Sequence, residues 1–159
     1  MHPGRAWALA WVAAIVACSA PPAELVPHTR ELVYVALGAS DAVGIGALDP
    51  ARDGWVPVLH RKLPRPTRLV NLGINGSLLQ DALVQQLPVA LDAGPDLVTV
   101  WLAVNDFAAR VTLEEYSASL DELLGTLATR TQARILVANI PDLAHVPMFA
   151  WYQRGLLGA

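Results

Sequence analysis

Three short stretches hold residue types that could act together on a carbonyl group. The first, YVALGASDAVGIGA over residues 34–47, runs from apolar residues into Gly38 and presents Ser40 two positions later, followed by Asp41. A serine in a tight Gly-Ala-Ser turn is exposed, and the turn points backbone N–H groups into the same space. That suits a nucleophile whose own N–H donates to an oxyanion. The same serine also reads as a helix N-cap, its hydroxyl accepting a bond from the first turn. The second stretch, NLGINGS, places Gly73 directly after a strand, as a plain turn glycine or as an unobstructed N–H donor. The third, WLAVNDF, sets Asn105 just past a strand end, where its carboxamide can donate to an oxyanion. Asn105 and Asp106 can equally hold a turn or cap the next helix.

Other glycine-loop chemistries do not fit. A phosphate loop needs a lysine after its last glycine, and none follows here; Asp49 stands where a dinucleotide fingerprint needs its third glycine. The G-x-S-x-G elbow fails as well, because Ala42 occupies its final position.

Positioning these loops requires elements that end in them. The runs at 32–37 (LVYVAL), 68–72 (RLVNL), 96–102 (DLVTVWL) and 134–140 (RILVANI) are β-branched and nearly continuously apolar, as strands buried on both faces of a parallel sheet are. Helical segments separate them. The clearest spans 112–131, where Leu113, Tyr116, Leu120, Leu123, Leu124 and Leu127 recur at spacings of three and four, and Thr112 with Glu115 forms a capping box. Weaker helices are expected over 54–63 and 77–94, the second bending near Pro88 and stopping at Gly94-Pro95. Four βα units predict an open, doubly wound parallel α/β sheet with helices on both faces. In such sheets chemistry gathers beyond the C-terminal strand ends, where Ser40, Gly73 and Asn105 lie.

Composition supports one such domain. The chain has 159 residues, 54% apolar and 16% charged, with a net charge of −3 and no basic run, which argues against nucleic-acid binding. Residues 1–17 read as an export signal: an arginine, then a 12-residue apolar run over 6–17 that is short for a membrane span of about 20 residues. Cys18, the only cysteine, follows Ile-Val-Ala in a pattern that resembles a bacterial lipobox, whose cysteine is lipidated; ordinary signal cleavage nearby is the alternative. Residues 18–31, with Pro21, Pro22 and Pro27, read as a tether, and 32–159 as the domain. The expected location is the bacterial cell envelope, on a lipid anchor or as a secreted protein.

Strand-Gly-x-Ser, strand-NLG and strand-VND, in this order, resemble the SGNH hydrolase superfamily, also called GDSL esterases and lipases, over residues 32–147. The resemblance implies a flavodoxin-like three-layer αβα fold. It implies Ser40 as nucleophile, with Gly73 and Asn105 joining the Ser40 N–H in an oxyanion hole, a small ester of a lipid or an acylated sugar as substrate, and no metal or organic cofactor. Ala39 and Ala103 depart from the family's G-D-S and G-x-N-D patterns, at positions that do not do the chemistry. The family's D-x-x-H follows a fifth strand, and the sequence to Ala159 does not reach one, so a last strand and helix are expected to be missing. Asp142 and His145 match the D-x-x-H spacing within the chain and are the candidates for orienting residue and base. A non-catalytic envelope lipoprotein that keeps the fold as a binding module is the competing expectation.

Overall fold

The computed structural model describes residues 30–64 and 66–140. Cys18, the apolar N-terminal run, and Asp142 and His145 lie outside the described residues. Four strands, β1 (Leu32–Gly38), β2 (Thr67–Asn71), β3 (Leu97–Trp101) and β4 (Arg134–Val137), pair in parallel in the order β2-β1-β3-β4. Each forms where the sequence is most β-branched and apolar. β1 has a hydrogen-bonded neighbour on both sides, Ala36 opposite Asn71 of β2 and Gly38 opposite Trp101 of β3. From Val33 to Gly38 it is wholly buried.

The alternating side chains of β1 serve two cores. Val33, Val35 and Leu37 pack with Val98 and Val100 of β3 against helices α4 (Leu79–Gln85), α5 (Leu87–Asp92) and α7 (Leu113–Arg130). Tyr34 and Ala36 face the opposite layer, where Ala42 of α1 (Ser40–Val43) and Val56 of α3 (Trp55–Lys62) cover them. The result is the expected three-layer αβα sheet. On the second face the Tyr34 hydroxyl lies 3.0 Å from Thr99 Oγ1, and burial pushes the phenol above its ordinary pKa, against the opposing pull of that bond.

Three short helices escape the periodicity: α1, α2 (Pro50–Asp53) and α6 (Val104–Ala108). Each has only four or five residues, too few for an apolar repeat to register. The helix expected over 77–94 is two, α4 and α5, broken at Gln86. Pro88 sits in the first turn of α5, where its missing N–H leaves no bond unmade. Helix α7 matches its expected span and capping box. Leu123 and Leu127 are fully buried, and Tyr116, Leu120 and Leu124 pack on the same core. Leu113 does not join this stripe: it is 81% exposed, because the first helical residue precedes the stretch that docks on the sheet. Among the described residues no helix is long and apolar enough to cross a membrane.

Candidate active site

After β1 the chain crosses to β2 on one side, and after β2 to β3 on the other. The loops that follow β1 and β3 therefore diverge at a crevice above the sheet. Ligands of open α/β folds bind at such a switch point. Here the crevice is a cleft of about 130 Å³ lined by Ala39, Ser40 and Asp41 from one loop and by Trp101, Leu102, Ala103, Val104 and Asn105 from the other. Ser40 and Asn105 thus share one small volume.

Ser40 is the first residue of α1, and Ala39, not Ser40, is the N-cap. Among the described residues no hydrogen bond engages the Ser40 hydroxyl, so its reading as a cap is not the one the fold adopts. Its carbonyl accepts the N–H groups of Gly44 (3.0 Å) and Ile45 (2.9 Å), which close the turn tightly behind the hydroxyl. Gly44 ends α1 at φ 91°, a left-handed conformation that glycine enters without penalty. Asp41 Oδ1 accepts the Ala39 N–H at 3.1 Å and braces the turn from within.

Asn105 is the second residue of α6. Its Nδ2 donates to the Ser77 carbonyl at 3.0 Å, which leaves one amide hydrogen without a partner among the described residues. Ala103, the residue that departs from the family's glycine, is the N-cap of α6 and is itself buried in the cleft wall. Asp106 is 97% buried in the sense that only 3% of its surface is exposed, and it caps a helix other than its own: Oδ1 accepts the N–H of Leu79, the first residue of α4, at 3.0 Å.

Gly73 lies beside the cleft and does not line it. Its N–H, expected to be open, donates to Asn71 Oδ1 at 3.1 Å. Its glycine identity has a packing reason as well. A Cβ there would stand 2.8 Å from Ala42 Cβ, 3.0 Å from Val43 N and 3.1 Å from Ala39 O, so the β2 loop can press against α1 only without a side chain.

Three supporting residues were not singled out for the site in the sequence. Asn71 donates from Nδ2 to the Ala42 carbonyl at 2.7 Å while accepting from Gly73, and so ties the β2 loop to α1. Gln86, fully buried, bonds both backbone groups of Gly38 and the hydroxyl of Ser77. Tyr116 donates its hydroxyl to the Leu102 carbonyl at 2.9 Å and fixes the β3 loop from α7; burial first, and the nearby Asp106 charge second, raise its pKa. A buried amide between two helices looks, in sequence, like any polar helix position. Only the NLG run hinted at Asn71.

A serine and an asparagine brought from two strand ends into the switch-point cleft of a three-layer α/β sheet are the arrangement of SGNH-type hydrolases. Residues 25–157 match the GDSL-like lipase/acylhydrolase family, and the chain belongs to it. Among solved structures it is similar to AlinE4, an SGNH-hydrolase family esterase, with 27% identity and a TM-score of 0.63, covering 81% of this chain and 68% of that one. TesA shares the fold at 24% identity and a TM-score of 0.63, over 74% of this chain and 66% of its own. So does the psychrotrophic esterase EstA from Pseudoalteromonas sp., at 20% identity and a TM-score of 0.59, over 76% and 67%. The chain therefore spans about two thirds of the length of these relatives. No curated protein matches it.

Proposed function

We propose that this chain carries serine ester hydrolase chemistry, and the observation that supports it is the single cleft lined by both Ser40 and Asn105. Ser40 Oγ attacks the ester carbonyl as a base removes its proton. The charge on the former carbonyl oxygen is held by the Ser40 N–H and by the Asn105 hydrogen that Ser77 does not use; Gly73, the third donor that the resemblance implies, must release its N–H from Asn71 Oδ1 to join them. The C–O bond to the alcohol breaks and the alcohol leaves with the base's proton. Water then cleaves the acyl-serine, restores the hydroxyl and releases the acid. His60 is not the base, because its Nε2 lies 2.8 Å from the Thr67 carbonyl at the opposite edge of the sheet. Within this chain the candidate is His145, oriented by Asp142.

The cleft is small, about 130 Å³, and lined largely by the apolar atoms of Trp101, Leu102, Ala103 and Val104, which favours a short acyl group over a long chain. The N-terminal signal and Cys18 support export and lipid anchoring at the bacterial envelope, and Cys18→Ser should then move the protein from the membrane to the soluble fraction. The central test is hydrolysis of p-nitrophenyl acetate and of its longer-chain homologues. The wild type should exceed Ser40→Ala, with rates falling as the chain lengthens, and His145→Ala should match Ser40→Ala. Equal rates for wild type and Ser40→Ala would show that this chain is not itself an enzyme, which the competing reading of a binding module requires.

A further inference from the structure

We propose that Gln86 is a positioning residue that sets both the nucleophile turn and the oxyanion amide, an inference that rests on the hydrolase reading of the same site. Gln86 has no exposed surface, and all its polar capacity toward the core is spent on the loops of the cleft. Its Oε1 accepts the Gly38 N–H at 3.0 Å; its Nε2 donates to the Gly38 carbonyl at 3.0 Å and to Ser77 Oγ at 3.1 Å. Gly38 is the last residue of β1, two before Ser40. There the amide binds both backbone groups of Gly38, as a neighbouring strand would, at the point where β1 leaves the sheet.

From Ser77 the connection continues. The Ser77 carbonyl accepts Asn105 Nδ2 at 3.0 Å, so the placement of Ser77 decides which way the second Asn105 hydrogen points. One side chain therefore links the turns after β1, β2 and β3. The orientation of the Gln86 amide is fixed without ambiguity: the Gly38 N–H can only meet an oxygen and its carbonyl only an N–H. A buried amide costs stability unless its bonds are all made, and here each bond ends on a residue that shapes the cleft. Removing them leaves the core volume intact but frees the Gly38 and Ser77 groups to shift. A misplacement of about 1 Å at the reacting centre can cost roughly 100-fold in rate.

The test uses the full chain, with Gln86→Met as a near-isosteric variant that loses all three bonds and Ser77→Ala as one that severs the link between Gln86 and the Ser77 hydroxyl and the 3.1 Å bond from that hydroxyl to the Leu78 carbonyl. Two readouts are taken: kcat and KM on p-nitrophenyl acetate, and the side-chain amide resonances of Asn105 in ¹⁵N-labelled protein. The expected result for Gln86→Met is a kcat lower by about 10- to 100-fold with KM within about two-fold, and displaced Asn105 amide resonances. Ser77→Ala should displace the same resonances by less. A folded Gln86→Met with the Asn105 resonances and kcat of the wild type overturns the proposal. Should Gln86→Met fail to fold, unmoved Asn105 resonances in Ser77→Ala overturn it instead. Wild-type turnover no greater than that of Ser40→Ala overturns the hydrolase reading alone, since the Asn105 resonances still decide whether Gln86 orients that amide.

Discussion

Two glycines near Ser40 are held to that identity by one methyl group. A Cβ on Gly38 would lie 2.5 Å from Ala42 Cβ, and one on Gly73 would lie 2.8 Å from the same atom. Gly38→Ala and Gly73→Ala should each destabilise the fold by about 1–3 kcal/mol in urea unfolding. Ala42→Gly should recover most of the loss at Gly38, where the next atom is 3.4 Å away, and less at Gly73, where Val43 N and Ala39 O still crowd the position. Asn105 offers a test of the chemistry itself. Asn105→Ala should lower kcat by about 10²–10³-fold with little change in KM, as loss of an oxyanion donor does. The meeting of Ser40 and Asn105 in one cleft was legible because each follows an apolar run at a fixed short distance. Gly73 was legible as a position, but the acceptor on its N–H was not, because an Asn-x-Gly contact depends on loop curvature. Ser77 and Gln86 act through tertiary partners up to 48 residues away and leave no local trace, and Asn71 is hinted at only by the NLG run.

At the scale of elements, α7 shows a local rule surviving intact. Thr112 Oγ1 accepts the Glu115 N–H at 3.2 Å, and Glu115 Oε2 accepts the Thr112 N–H at 3.1 Å and its hydroxyl at 2.9 Å. Those two bonds, the backbone one foremost, lower the Glu115 pKa. A carboxyl with a lowered folded pKa stabilises the fold above its unfolded pKa, and this contribution is lost as pH falls through the folded value. Glu115→Gln should therefore lower the Tm at neutral pH, and the gap to wild type should close in acid as Glu115 is protonated; a gap independent of pH would assign the effect to shape alone. Leu113 and the α4–α5 break show where periodicity misleads. A repeat locates a helix, but the docking neighbour decides which of its residues are covered and where the helix divides. Strand positions were read to within three residues at each end, because uninterrupted β-branched runs have few competing conformations.

For the molecule as a whole, the parallel order and the burial of β1 predict a gradient of stability. Amides of β1 and the adjoining part of β3 should exchange slowest with solvent, and those of β4 faster. Among the described residues β4 pairs only with β3, and Leu136 and Val137 are each 49% exposed. Native-state hydrogen exchange by mass spectrometry measures this directly, and equal protection across all four strands would contradict it. The three-layer architecture was legible from the alternation of strands and helices, since a strand apolar along its whole length needs a cover on each face. One pair of side chains turns this layering into a signal. Trp55 on α3 and Trp101 at the end of β3 stand edge to face, with centroids 5.6 Å apart and planes at 62°. Indoles this close couple their electronic transitions, so circular dichroism should carry a split band that vanishes in Trp55→Phe. Because Trp101 also borders the cleft, the same band makes the protein its own optical gauge of both assembly and occupancy.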